Sequence, residues 1–216
     1  MGGPADRLTF TKAKPANYPV FNAITDNPKV GDERNFVTIR EVGEGKKFVN
    51  EVNIVAGKEY EVSVIFHNNA NPSLNDILNE GGIGIAVDAR ISAIVPQVVK
   101  KGERKPISSI ISAANTNPLK VWDEAYVSAS AGTINFRYVP GSATVISNGA
   151  VNKNILPDTL FSELGTFLGF TALNGVIPGG MEFMGEVRYR LKSDAPNFSI
   201  NYTVSKDKKV FKVDKK

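Results

Sequence analysis

Five oxygen-bearing side chains crowd one short stretch of the chain. In FNAITDNPKVGDERNFV, residues 21–37, Asp26, Asn27, Asp32, Glu33 and Asn35 fall within ten residues. Carboxylate and amide oxygens are what calcium binds, so Asp26, Asp32 and Glu33 are the candidate metal residues. Their spacing departs from an EF-hand loop, because Gly31 precedes the second acidic pair. Turn chemistry accounts for the same residues and is favoured. Asp26-Asn27-Pro28 suits the start of an Asx-turn, Gly31 can take a positive φ, and Arg34 can pair with Glu33 or Asp32.

The chain holds one histidine, His67, and no cysteine. Thiolate chemistry, disulfides and zinc–thiolate sites are excluded. A hydrolytic triad would have to be built on His67 alone, and no G-x-S-x-G elbow accompanies it. In FHNNA the expected role is structural: the ring bonds a loop carbonyl, while Asn68 and Asn69 take left-handed turn positions. Trp122-Asp123-Glu124 joins an aromatic platform to two acids, as a sugar site does. Neighbours on a strand point to opposite faces, however, and a lone Trp is expected to anchor a core or a loop. Lys12 or Lys14 could supply the amine of an isopeptide bond, which needs an apolar environment with an Asn or Asp and a buried acid. No catalytic residue and no resident cofactor is expected.

Positioning these residues falls to strands. EYEVSVIFHNN alternates, with Tyr60, Val62, Val64 and Phe66 on one face and Glu59, Glu61 and Ser63 on the other. GIGIAVDARISAIVP reads as one strand, with Ile83, Ile85, Val87, Ala89, Ile91, Ala93 and Val95 sharing a face. EVRYRLK sets Val187, Tyr189 and Leu191 against Arg188, Arg190 and Lys192. NFVTIREV, KFVNEVNI, ISSIISA, TINFRYV, SATVIS and FSINYTV continue the pattern, giving roughly nine to eleven strands. Turn signals such as AGKE, VPGS, SNGA and IPGG separate them. Short helical turns are expected at 73–78 and at 156–164, the second capped by Asp158. The fold class is therefore all-β: an antiparallel β-sandwich of immunoglobulin-like or Greek-key type, with 71–82, 115–132 and 148–178 as long loops. Residues 1–195 form one domain with an N-terminal arm. Residues 196–216 are a C-terminal strand or linker, a candidate start of a following module.

Charge narrows the partners. The net charge is +4, and the tail 206–216, with six Lys and two Asp, carries all of it. The remaining body is neutral, which argues against a nucleic-acid footprint. No apolar run is long enough to span a membrane. The start MGGPADRLTF lacks a signal-peptide pattern, so the expected form is a mature chain.

The order of several phrases resembles a known grammar. YEVSVIFHNNANPS precedes GIAVDARISAIVPQVV, then NFRYVPGSATVISNGAVNKNILPDTLF, then LNGVIPGGMEFMGEVRYRLKSD. This is similar to the DUF11-type repeats of bacterial and archaeal surface proteins. The opening PVFNAITDNPKVGDERNFV resembles the start of a family of uncharacterised secreted bacterial proteins. Together the phrases cover roughly residues 6–195. The resemblance implies an extracellular β-module and says nothing of chemistry. The expected function is a non-enzymatic structural module of a cell-surface or secreted protein. One alternative is a fibre subunit, pairing with copies of itself or neighbouring modules by strand addition through 6–14 or 197–213. Another is an adhesin that binds a surface glycan, a protein or calcium through its loops.

Overall fold

The computed structural model describes residues 2–75, 82–196, 198–204 and 209–215. Among the described residues, thirteen strands build two main sheets and a third, two-stranded one. The first sheet has the order β1 (Val37–Glu41), β3 (Glu59–Phe66), β11 (Gly185–Asp194), β8 (Ile134–Tyr138), β5 (Val98–Val99). β9 (Thr144–Ser147) shares the edge of β11 with β8. The second sheet has the order β10 (Thr166–Phe167), β4 (Arg90–Ile94), β6 (Arg104–Ser112), β7 (Lys120–Ser128), β2 (Glu51–Asn53). All pairings are antiparallel except that of β2 with β7. β12 (Phe198–Val204) and β13 (Lys209–Lys215) pair with each other as a two-stranded sheet.

The period-two pattern explains why these segments pack. Tyr60, Val62, Val64, Val187, Tyr189 and Leu191 all point inward and are fully buried. From the facing sheet, Ile91, Ile107, Ile111, Val121, Ala125 and Val127 close the same core. Burying each large apolar side chain contributes roughly 1.5–3 kcal/mol, so the alternation alone specifies which face turns in. The molecule is an all-β sandwich, as its alternation predicts.

Two expectations need correction. Residues 83–95 are not one strand. Asp88 takes φ 54°, and the inward phase slips there: Ala86 is buried before it, and Ala89, Ile91 and Ala93 after it. Ile83 and Val87 are exposed as a result, and only Arg90–Ile94 forms β4. A left-handed residue inserted in an alternating run moves every later side chain to the other face. The stretch 115–132 is not a loop. It holds β7, which pairs with β6 over nine residues. Its inward positions are Val121, Asp123, Ala125 and Val127, and an acid and a small residue among them mask the pattern.

The expected helical turns are short 3-10 turns, Pro72–Leu74 and Asp158–Phe161. Residues 76–78 lie outside the described set. Asp158 is the first residue of its turn, Pro157 holds the cap position, and no side chain bonds there. A third turn, Met181–Phe183, precedes β11.

Residues 2–35 form an arm strapped across one end of the sandwich. Gly3 bridges Trp122 of β7, while Ala16 and Phe21 bridge Ala70 and Asn68 beyond β3. Within the arm, Ala16, Val20 and Ala23 pack with Phe10 and Tyr18 as a small separate cluster.

Candidate functional site

The arm and the end of β3 meet in a buried polar network, centred on Glu33 and His67. A tight turn brings Glu33 in. Asn27 and Gly31 exchange backbone hydrogen bonds of 3.0 and 2.8 Å. Gly31 takes φ 75°, and the Asn27 side chain accepts from the Lys29 amide at 2.9 Å. This is the expected Asx-turn, and it has a second product. The next residues diverge: Asp32 stays half-exposed while Glu33 is 1% exposed.

Three donors converge on the Glu33 carboxylate. Asn27 Nδ2 and His67 Nδ1 donate to Oε1 at 2.5 and 2.8 Å, and Asn69 Nδ2 donates to Oε2 at 2.8 Å. Asn69 Nδ2 also lies 2.8 Å from His67 Nδ1, which cannot accept from it while donating to Glu33. The Asn69 amide is oriented independently, since its Oδ1 accepts from the Ala23 and Ile24 amides at 2.5 and 3.1 Å. The backbone around the pair is held by other asparagines. Asn22 donates to the Ile65 carbonyl at 2.8 Å and accepts from the His67 amide at 2.8 Å. Asn68 donates to the Gly84 and Ile177 carbonyls at 2.8 and 2.9 Å. These side chains tie together backbone groups of the arm, β3 and the segments around Gly84 and Ile177.

The FHNNA expectation is thereby corrected. The His67 ring bonds a carboxylate rather than a carbonyl. Asn68 and Asn69 are buried and extended-chain residues, not left-handed ones; the positive φ falls on Asn22 instead. Sequence reading missed the network because its members lie far apart in the chain. The one legible signal was three consecutive polar residues directly after an alternating strand.

The candidate calcium residues do not converge. Asp26 is exposed and accepts from the Lys12 amide at 2.6 Å. Asp32 is gripped by Arg34, with Nη2 at 2.6 Å and Nε at 2.9 Å, and the Arg34 hydrogen bond holds its carboxyl below the usual range. Glu33 faces inward, and Asn35 bonds Asn50. Among the described residues, no group of three or more His, Asp and Glu side chains gathers closely enough to hold a metal ion. Lys12 and Lys14 are exposed, outside the apolar setting an isopeptide bond needs.

The Trp122 stretch divides as strand geometry demands. Asp123 is buried, and its Oδ2 accepts from the Phe36 and Val37 amides at 2.7 and 2.9 Å. Burial pushes its carboxyl up, against these hydrogen bonds. Burial, and then the like charge of Arg34, lower the neighbouring Arg7 guanidinium to about 10. Trp122 is 44% exposed and is not a core residue. It anchors the arm: Gly3 lies so close that an added Cβ would sit 2.4 Å from the indole. Trp122, Glu124 and Tyr126 share the outer face of β7. Tyr126 donates to Glu124 at 2.6 Å, and Arg104 stacks on its ring at 3.3 Å from the centroid.

Near the Glu33–His67 network lies a cleft of about 590 Å³ on the outer face of the first sheet, lined by Lys29, Val30, Phe48, Ile65, Met184 and Glu186. No helix among the described residues is long and apolar enough to cross a membrane. No family model, curated protein or solved structure matches the chain.

Proposed function

We propose that the chain is a non-enzymatic structural module of a bacterial surface or secreted protein. The observation that carries this reading is the sealing of the His67–Glu33 pair. The side chains of His67 and Glu33 are 1% and 0% exposed. A general base must come within hydrogen-bond reach of its substrate. Here both partners spend their bonds on tying the arm to β3. The extracellular setting rests on the phrase-level resemblance. A panel of glycoside, ester and phosphate substrates tests the reading. Turnover is expected to be the same for wild type and for Glu33→Gln. Turnover present in wild type and lost in that variant overturns the proposal.

A glycan-binding role is the second reading, favoured by the exposed row Trp122, Glu124 and Tyr126. Aromatic faces beside a hydrogen-bonding acid suit a sugar ring. Glycan-array binding that disappears in Trp122→Ala supports it, and an unchanged array profile ends it. Strand addition is the third. Among the described residues the β12–β13 pair is a sheet of its own, so its edges offer backbone groups to a neighbour. A monodisperse monomer at high concentration, by size-exclusion chromatography, removes that reading.

A further inference from the structure

The outer face of the first sheet changes character along its length. The register lays its residues in rows across the strands. Arg40, Glu61 and Arg190 form one row, and Thr38, Ser63, Arg188 and Thr144 the next. Ile65, Glu186 and Ile146 form a third. The first row is charged throughout, as a solvated sheet face should be. The third carries two isoleucines, and Ile146 is 38% exposed.

The chain builds walls around that third row. The turn between Asn27 and Gly31 brings Lys29 and Val30 to it, and Ser147 and Asn148 stand at the end of β9. Phe48 and Met184 complete the cleft of about 590 Å³, a volume typical of small-molecule sites. Its apolar lining is Val30, Phe48, Ile65, Ile146 and Met184. Apolar side chains gathered in a concave patch, with a polar rim, mark a ligand site. Two guanidinium groups hold the Phe48 ring, with Arg40 Cζ 4.4 Å and Arg188 Cζ 5.2 Å from its centroid.

The charges decide the sign of the ligand. Glu186 lines the cleft but is already neutralised: Arg188 donates to its two oxygens at 2.7 and 2.9 Å, and Ser63 donates to Oε1. Arg40 is spent in the same way on Glu61, at 2.5 and 2.9 Å. Lys29 differs. It lines the cleft, is exposed, and makes no ion pair among the described residues. An uncompensated positive charge therefore stands beside an apolar wall.

We propose that this cleft binds a small apolar carboxylate, a medium-chain alkyl or aryl acid. Its hydrocarbon part lies on Phe48, Ile65, Ile146 and Met184, and its carboxylate meets Lys29. Burial of hydrocarbon drives the binding, Met184 adapts to its shape, and Lys29 selects its charge. No bond is made or broken. The site is thus independent of the structural reading above, which survives its failure.

The full chain is titrated by calorimetry with octanoate, and with octanol and octylamine as neutral and cationic probes of equal length. In protein labelled at the methionine methyl carbons, the Met184 resonance, assigned with Met184→Leu, shifts as octanoate binds. Octanoate is expected to bind about fivefold more tightly than octanol and at least about tenfold more tightly than octylamine. Lys29→Gln changes an exposed side chain and brings octanoate down to the affinity of octanol. Ile146→Asp puts a carboxylate on an outward position of the cleft wall, leaves the core closed, and abolishes octanoate binding. A Met184 resonance that stays put under octanoate overturns the site. So does octylamine binding as tightly as octanoate, or octanoate binding that survives in Ile146→Asp. A Met184 shift that follows protein concentration without any ligand gives the cleft to a second copy of the chain, and overturns a small-molecule occupant.

Discussion

Glu33 and Asp123 are both buried carboxylates, one within the N-terminal arm and one where the arm passes into β1, yet they are satisfied in different ways. Asp123 accepts from two backbone amides at the start of β1. Glu33 accepts only from side chains: Asn27, His67 and Asn69. Backbone donors stay in place when one side chain is changed. Side-chain donors depend on each other, so the Glu33 network stands or fails as a unit. The stiffer dependence belongs at the end of the sandwich where the arm, β3 and the turn before β11 meet.

Removing Glu33 is expected to have the largest effect. Glu33→Ala leaves three buried donors unpaired and should cost about 3–5 kcal/mol, read from the urea midpoint. A loss below about 1 kcal/mol would mean water replaces the carboxylate and the network is not cooperative. Asp123→Asn keeps one acceptor oxygen for the backbone amides and should cost about 1–3 kcal/mol.

The Asp123 loss depends on pH in a defined direction. The folded pKa of Asp123 lies above its ordinary 3.8, so the native state binds the extra proton. Its contribution is full below 3.8 and declines as pH rises through the raised value. The gap between wild type and Asp123→Asn should therefore narrow with rising pH over that window. A gap that widens instead contradicts the burial of Asp123.

Gly3→Val should lift the start of the arm from Trp122 at a cost of about 1 kcal/mol, since an arm terminus can detach locally. Trp122 is the chain's single tryptophan, so its fluorescence reports this directly. An unchanged emission spectrum would place the indole away from Gly3. Arg34→Ala should cost the least, at most about 1 kcal/mol, because its pair with Asp32 is partly in water. Asp32 is held below its ordinary 3.8, so the pair contributes above that value and is lost as pH falls through the lowered one. Its pH trend is opposite in sign to that of Asp123, and a double variant should show the two as additive.

Much of the sandwich was legible. β3 and β11 follow the alternation, because each turns one face into the core; Ser63 of the outward set is buried too, beside Glu186. β7 was not legible, because Asp123 and Ala125 occupy inward positions that hydropathy does not mark. The 83–95 run was misread because one left-handed residue, Asp88, resets the phase without changing composition. The Asx-turn at Asn27 and the positive φ at Gly31 were legible as local chemistry. The destination of Glu33 was not.

By itself, then, the sequence determined the strand class, the inward faces of the two longest-patterned strands, the turn in the acidic loop and the exclusion of thiol chemistry. These depend on interactions within a few residues or on composition. Tertiary structure alone decided that Asp32 and Glu33 part company, that Trp122 faces out while Asp123 faces in, and that His67 meets Glu33. Such meetings join residues 34 and more positions apart, and only the packing of the arm against two sheets brings them within hydrogen-bond reach.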